Sequence, residues 1–389
     1  MLNVSILNNT IGRVLRQQLF IDTRNIATFI TMVLCLLFSK NVCLSAWISW
    51  ISQNTKAESR IRRFARWLEN SSIDPHLWYT PQFLYAMREW TRMPIYLALD
   101  TSMLYDRFCC VRISIIYMNR AIPVTWCVLE HESSTIKYLQ YAHLFEQAVA
   151  LLPKNVEIIF LADRGFVCKE LMRHIRQLKW TWRIRVKGNQ KLRTNRGFIT
   201  PRALPLSPGK VLLFSRCVNF GKGLERISLS AGWAKGSEEP WYVLSEDAAS
   251  TEIFMDYARR FDIEEGFRDE KSGGCELEES RIRDAKKLER LLLVISTAQI
   301  VAVSEGITAT IEGKREEVDP HRLRNLSYFQ IGLRWILSCF VRGLKKTIVF
   351  LLRPLSEPIP VASTKKESRK RRKKKDPTFL FDDVQLGAL

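Results

Sequence analysis

Ile95-Tyr-Leu-Ala-Leu-Asp100 is the segment on which the fold turns: a short apolar run that closes on an acid. A second segment repeats the design. Val156 to Ala162 is apolar except for Glu157 and is followed by Asp163. Between the two, Cys109 to Tyr117 and Ala121 to Glu130 are rich in β-formers, and Met118-Asn119-Arg120 separates them as a tight turn, so the three segments predict a meander. Tyr138 to Leu152 and Val167 to Leu178 carry helical patterns, and Trp180 to Lys187 is a fifth strand. Three strands, a helix, a strand, a helix and a strand are the order of a mixed-sheet α/β domain.

Working outward, residues 188–249 hold four Pro, seven Gly and strand-like pieces at Val211–Val218, Arg226–Ala231 and Trp241–Leu244, which predicts a β-rich insertion. Helical periodicity resumes at Thr251 and runs through Lys271, and a further apolar helix covers about Lys286 to Val303. Residues 1–72 read as a helical region. In its last helix Ile61, Phe64, Trp67 and Leu68 recur at helical spacing while Arg60, Arg62, Arg63 and Arg66 fill the other faces. Such a helix suits docking on DNA phosphates; a solvated charged face is the alternative. The expected division is 1–72 helical and suited to DNA, 73–187 and 250–310 as two parts of one α/β domain around the insertion, and 311–363 helical. The last segment, 364–389, is expected to be a basic disordered tail that adds sequence-independent attraction to DNA, with a nuclear address and a merely solubilising tail as the alternatives.

Composition narrows the classes of function. Among 389 residues, 60 Lys and Arg face 40 Asp and Glu, and the net charge of +20 calls for a polyanionic partner, nucleic acid or an anionic membrane surface. The chain is apolar enough to bury a core across two or three domains. No C-x-x-C pair occurs among nine Cys and the five His are scattered, which speaks against a disulfide framework, a structural zinc site and a His-based metal site. The strongest early apolar run, Ile26 to Phe38, is 13 residues, short of the roughly 20 that a spanning helix needs. Arg334, Arg342, Lys345 and Lys346 interrupt the stretch 326–352, and the chain start lacks a signal-peptide pattern. No membrane partner is expected.

Asp100 and Asp163 end two apolar strands, at the mouth of an open sheet where α/β domains bind ligands. A third acid comes from the helix near 257. Tyr257, Arg260, Glu264 and Lys271 fall within roughly a 60° arc at about 100° per residue, whereas Ile263 points toward the buried side. Four other acids share this helix, and the common face is what singles out Glu264.

This pattern resembles the bacterial insertion-sequence DDE transposases of the cut-and-paste type, whose signature is Tyr, two residues, Arg, three residues, Glu, six residues, Lys. Here it stands as Tyr257-Ala-Arg-Arg260-Phe-Asp-Ile-Glu264 followed by six residues and Lys271, with Ala-Asp163-Arg-Gly-Phe and Leu-Asp100-Thr-Ser for the other two acids. The resemblance spans about 95–290. It implies a ribonuclease-H-like fold: a mixed five-stranded sheet with helices, interrupted by the insertion. Asp100, Asp163 and Glu264 would be catalytic and would hold two Mg²⁺, with Mn²⁺ able to substitute. Two such ions about 3.5–4 Å apart activate a water and steady a leaving oxygen, and hard cations take oxygen ligands.

The resemblance also implies cleavage at the element's ends and joining of the 3′-OH to target DNA. The implied partners are terminal inverted repeats, target DNA and a second copy of the chain in a synaptic complex, and the implied setting is bacterial, cytoplasmic and nucleoid-associated. Tyr257, Arg260 and Lys271 would contact phosphates near the cut. Trp241 takes the position of a base-stacking Trp, with a core aromatic as the alternative. Arg185 and Lys187 resemble DNA contacts, with a sheet-edge solubiliser as the alternative. The stretches Asp163–Glu264 and Trp241–Tyr257 are shorter than in the closest hairpin formers, which leaves the hairpin step open. A metal-dependent nuclease without strand transfer and an inactive DNA-binding derivative are the rival readings.

Overall fold

The computed structural model describes residues 8–18, 22–51, 55–271, 274–319, 326–344, 348–356, 358–359 and 380–387. Its frame is a nine-stranded mixed sheet. The strands are β1 (Ile95–Leu104), β2 (Phe108–Tyr117), β3 (Arg120–Glu130), β4 (Ile158–Ala162) and β5 (Thr181–Arg185), then β8 (Lys210–Val218), β9 (Ile227–Gly232), β10 (Trp241–Ser245) and β11 (Asp383–Leu386). A separate ribbon pairs β6 (Leu192–Thr194) with β7 (Gly197–Ile199). The order across the sheet is β11-β8-β9-β10-β5-β4-β1-β2-β3. β4 runs parallel to β1 and β5, and β11 runs parallel to β8; the other pairs are antiparallel. The β2–β3 turn places Met118 and Asn119 in the left-handed region, at φ 52° and 62°, as a tight hairpin requires.

Three expectations change. The β-rich insertion does not stand apart: β8, β9 and β10 continue the sheet beyond β5. β5 is therefore an interior strand, and Arg185 on it cannot be an edge solubiliser. The expected disordered tail contains a strand, since Asp383–Leu386 pairs with β8; residues 364–379 and 388–389 lie outside the described residues.

Strand alternation sends side chains to two faces. Leu97, Leu99, Ile113 and Ile115 enter the large core. Ala98, Ile159 and Leu161 point the other way and pack with Ile263 and Phe267. These last two belong to α7 (Asp262–Lys271), which follows α6 (Glu252–Ala258).

The N-terminal helices join the same large core instead of forming a unit of their own. α1 (Thr23–Ser39) is capped by the Asp22 carboxylate, which accepts from Arg24 N, and buries its apolar run. Phe29 stacks on Trp67 of α2 (Ala57–Glu69) at 5.6 Å and meets Trp78 of α3 (Pro75–Ala86) edge-on at 5.5 Å. Arg60, among the α2 cations, donates to the carbonyls of Ile48 and Ile51, so it is spent on structure. α4 (His143–Leu151) and α5 (Lys169–Gln177) connect the strands around β4.

α8 (Ala285–Ile311) is long and apolar enough to cross a membrane, with an 18-residue window of mean hydropathy 1.7, yet every residue of that window is buried inside the protein. Its polar groups are used as clamps. Arg290 donates to the carbonyls of Leu68 and Ile73, Glu289 accepts from Val128 N, and Glu305 and Ser304 accept from Val349 N and Leu351 N. α9 (Tyr328–Val341) crosses α8 at backbone contact. A Cβ on Gly306 would lie 1.9 Å from Tyr328 O, and one on Gly332 would lie 1.7 Å from Ala302 O.

Both partners in that crossing are rigid backbone, so neither glycine has room to gain a methyl. Gly332→Ala is expected to destabilise the protein by about 1–3 kcal/mol, as overpacking does. Urea unfolding of the purified chain checks this; a loss under about 0.5 kcal/mol, the range of neutral surface changes, would contradict the close-contact geometry.

Candidate active site

β1 and β4 pair in parallel from Ile95↔Ile158 to Leu99↔Ala162, and the next residue on each is an acid. Asp100 and Asp163 thus leave the same end of the parallel pair. The expectation that both end their strands holds for Asp163 alone. β1 continues to Leu104 because β2 still pairs with it, Asp100↔Arg112 included. Asp100 sits where β1 loses its parallel neighbour and keeps its antiparallel one. Thr101 N donates to Asp100 Oδ1 at 2.8 Å and fixes the carboxylate. After Asp163 the chain makes a short turn, Arg164–Phe166, whose buried Phe166 meets Tyr141 edge-on at 6.0 Å.

The third acid arrives on α7. A 3₁₀ turn, Arg259–Phe261, separates α6 from α7, so the signature does not lie on one straight helix. The expectation of one common face, set apart from the buried side of Ile263, is corrected accordingly. Tyr257 is fully buried and Arg260 is 4% exposed, whereas the Glu264 side chain is 57% exposed. The face begins in the core and emerges at Glu264. Ile263 is buried, on the side the periodicity assigns it.

The signature residues grip the three acids directly. Arg260 Nη1 donates to Asp100 Oδ2 at 2.9 Å, and Nη2 donates to Glu264 Oε1 at 2.7 Å. Tyr257 Oη donates to Asp163 Oδ1 at 3.0 Å. Lys271 Nζ donates to Met103 O at 2.6 Å and lies 3.5 Å from Glu278, which anchors the end of α7 to β1.

The charges follow from this packing. Burial pushes the Asp100 carboxyl above its usual range, the Arg260 guanidinium and the Thr101 N–H pull it back, and Asp163 and Glu264 raise it further. Burial works against the Arg260 cation, but Tyr257, Asp100, Asp163 and Glu264 together hold its pKa above normal. Burial also drives the Tyr257 phenol upward, so it stays protonated and donates. Arg260 is therefore a permanent cation among the acids.

Other predicted residues stand further out. Trp241 is half-buried and meets Tyr257 edge-on at 5.4 Å and Phe261 at 5.6 Å. Arg185 lies 5.6 Å from the Trp241 ring and pairs with Glu239, which also lies 3.6 Å from Arg164. Lys187 is exposed just past the end of β5. Arg62, Arg63 and Arg66 are on α2: Arg62 and Arg66 are exposed, the former paired with Glu58, and Arg63 is half-buried with its guanidinium 5.2 Å from the Phe64 ring. Sequence reasoning missed Arg183, which is buried and pairs with Asp247 and Asp256, and the buried pair Arg112–Glu270. Those partners are far apart in the chain and carry no local signal.

Among the described residues, no group of three His, Cys, Asp or Glu side chains is arranged to hold a metal ion. The acids are organised around a guanidinium instead, with Arg260 between Asp100 and Glu264. The donor set itself suits a hard divalent cation, being all carboxylate oxygen. The site already stabilises one positive charge, which a divalent ion would carry in greater density.

Residues 107–300 match the family model of the transposase DDE domain. That span includes Asp163 and Glu264 and begins just after Asp100. No curated protein matches the chain. Among solved structures, a cryo-EM structure of a piggyBac transposase synaptic complex with hairpin DNA is similar at 13% identity and a TM-score of 0.43, covering 95% of this chain and 86% of that one.

Burial at the start and end of α7 has a consequence for stability. The Asp262 and Asp269 carboxyls are pushed up from 3.8 to about 6, chiefly by burial, with Arg120 acting against the shift. Both hold protons more tightly folded than unfolded. Their contribution to stability is thus full below pH 3.8 and is lost as pH rises to about 6. Asp262→Asn should remove its share, on the order of 1 kcal/mol, so that the variant gains on wild type between pH 4.5 and pH 7. Chemical unfolding at the two pH values measures this; an unchanged difference would place Asp262 in solvent.

Proposed function

We propose that the protein is a DNA transposase that cuts at the ends of an insertion sequence and joins the freed 3′-OH to target DNA. The observation that carries this reading is the linkage of Asp100, Asp163 and Glu264 through Tyr257 and Arg260, at the open end of the β1–β4 pair. The match of residues 107–300 to the transposase DDE domain model supports it independently. The core strand order β3-β2-β1-β4-β5, with β4 and β5 parallel to β1, supports a ribonuclease-H-like arrangement extended by four further strands.

In this reading Asp100, Asp163 and Glu264 hold two Mg²⁺, with Mn²⁺ as a substitute. The ions supply an activated water and charge stabilisation at the scissile phosphate. The chain's own residues do the rest. β1 and β4 present two acids from apolar, rigid strands, and α7 presents the third. Arg260 offsets the mutual charge of the acids, and with a metal-filled site its guanidinium would be free for a DNA phosphate, where a fork of N–H donors would offset developing negative charge. Tyr257 orients Asp163. Lys271 and Lys187 extend the phosphate-binding surface, backed by the buried Arg185, Trp241 offers an aromatic face for an unstacked base, and Arg62, Arg63 and Arg66 present α2 to the element's end. A homodimer bridging two ends, acting on bacterial, nucleoid-associated DNA in the cytoplasm without a membrane partner, completes the proposal.

Duplex DNA carrying the element's terminal inverted repeats, incubated with the chain and Mg²⁺, is expected to be nicked at the repeat end. Pre-cleaved ends with a target plasmid are expected to give joined products. Asp163→Asn, Asp100→Asn and Glu264→Gln should each lower both activities by at least about 1,000-fold while leaving DNA binding in EDTA intact. Full activity of Asp163→Asn would overturn the assignment. Nicking without joining would mark a nuclease, and binding without nicking an inactive derivative.

Arg260→Gln separates the two duties of that residue. Freed of its guanidinium, the acid cluster should bind Mn²⁺ several-fold more tightly, whereas nicking should be lost. Weaker Mn²⁺ binding by this variant would contradict the view that Arg260 holds the place of a cation.

A further inference from the structure

We infer that Arg112 and Glu270 are positioning residues for Glu264: a buried charge pair that sets the rotation and height of α7 over the sheet. The inference rests on the metal reading above. Arg112 lies directly across from Asp100 on β2, and residues so paired project from the same face. Its side chain passes over the Phe267 ring, 4.1 Å from the centroid, and ends on the Glu270 carboxylate. Gln299 of α8 donates its Nε2 to the same carboxylate oxygen at 3.0 Å. One carboxylate thus ties α7 to the strand beside Asp100 and to the central helix of the core.

Energy alone gives this pair little reason to exist. Its side chains are 1% and 3% exposed. Arg112 Nε and Nη2 and Gln299 Oε1 are buried without a hydrogen-bond partner. A buried, incompletely satisfied ion pair is commonly no more stabilising than apolar residues of the same volume. What it does provide is direction. Apolar packing lets a helix roll or slide by a fraction of a turn, whereas a hydrogen-bonded charge pair is satisfied at one setting. α7 also needs that setting close in. Gly266 brings the helix so near β3 that an added Cβ would lie 3.1 Å from the Ala121 Cβ. Arg120 makes a second tie to Asp269 at 2.9 Å. Glu264 is on the same short helix, six residues before Glu270, so a change of roll at Glu270 moves the Glu264 carboxylate relative to Asp100 and Asp163.

The test uses the full chain, with Mn²⁺ alone as the probe, its free concentration read by electron paramagnetic resonance. Arg112→Met/Glu270→Met replaces the pair with apolar volume. It is expected to keep the wild-type unfolding temperature within a few degrees, to bind Mn²⁺ at least 10-fold more weakly, as loss of a residue that orients a ligand does, and to nick end DNA with a lower kcat at unchanged KM. A folded double variant with wild-type Mn²⁺ affinity overturns the proposal. If that variant does not fold, Gln299→Met decides: it removes one tie and should weaken Mn²⁺ binding several-fold, and unchanged affinity overturns the proposal. Wild-type protein that takes up no Mn²⁺ overturns the metal reading and this inference with it, an outcome distinct from uptake that is insensitive to the pair.

Discussion

A guanidinium held among carboxylates governs this structure. Three acids gathered at one end of a parallel strand pair repel each other, and burial makes the ionised form of Asp100 costlier still. Arg260 offsets both effects by bonding Asp100 and Glu264 with two of its nitrogens. Tyr257 does the same for Asp163 with a phenol that burial keeps protonated. The cost of assembling like charges is met by residues of one short segment, and that segment therefore has to be docked on the sheet with care.

The docking explains features that look unrelated. The break between α6 and α7 lets Tyr257 reach into the core while Glu264 reaches toward solvent. Gly266 allows close approach to β3, and the Arg112–Glu270 pair links α7 to β2 and, through Gln299, to α8. α8 in turn holds the N-terminal helices and the segment 348–352 through its buried polar groups. A helix of membrane-spanning length is thus the shared post of the core, with Arg290, Ser304 and Glu305 spent on backbone partners and Gln299 on the Glu270 carboxylate.

Much of this was legible in the residues. The meander, the apolar strands before Asp100 and Asp163, and the fixed gaps of Tyr257, Arg260, Glu264 and Lys271 are local patterns, and the structure brings those six residues to one region. What the sequence hid is non-local. Nothing near Asp100 announces that β2 carries β1 on to Leu104, because that depends on a register set by Arg112 and its neighbours. A helical wheel cannot foresee the 3₁₀ turn at Arg259–Phe261, so it placed Tyr257 and Glu264 on one common face. The strands of 210–245 looked like an insertion because Pro and Gly between them read as breaks, whereas hydrogen bonding to β5 makes them sheet. Ion pairs across 158 residues, such as Arg112–Glu270, leave no trace in spacing.

The central claim is that Asp100, Asp163 and Glu264 form a divalent-cation site whose place Arg260 keeps. Anomalous X-ray diffraction from crystals grown with Mn²⁺ and end DNA tests it most directly. The account predicts manganese peaks bounded by these three carboxylates, with the Arg260 guanidinium turned away from Asp100. Well-ordered carboxylates still bonded to Arg260, with no manganese between them, would contradict it.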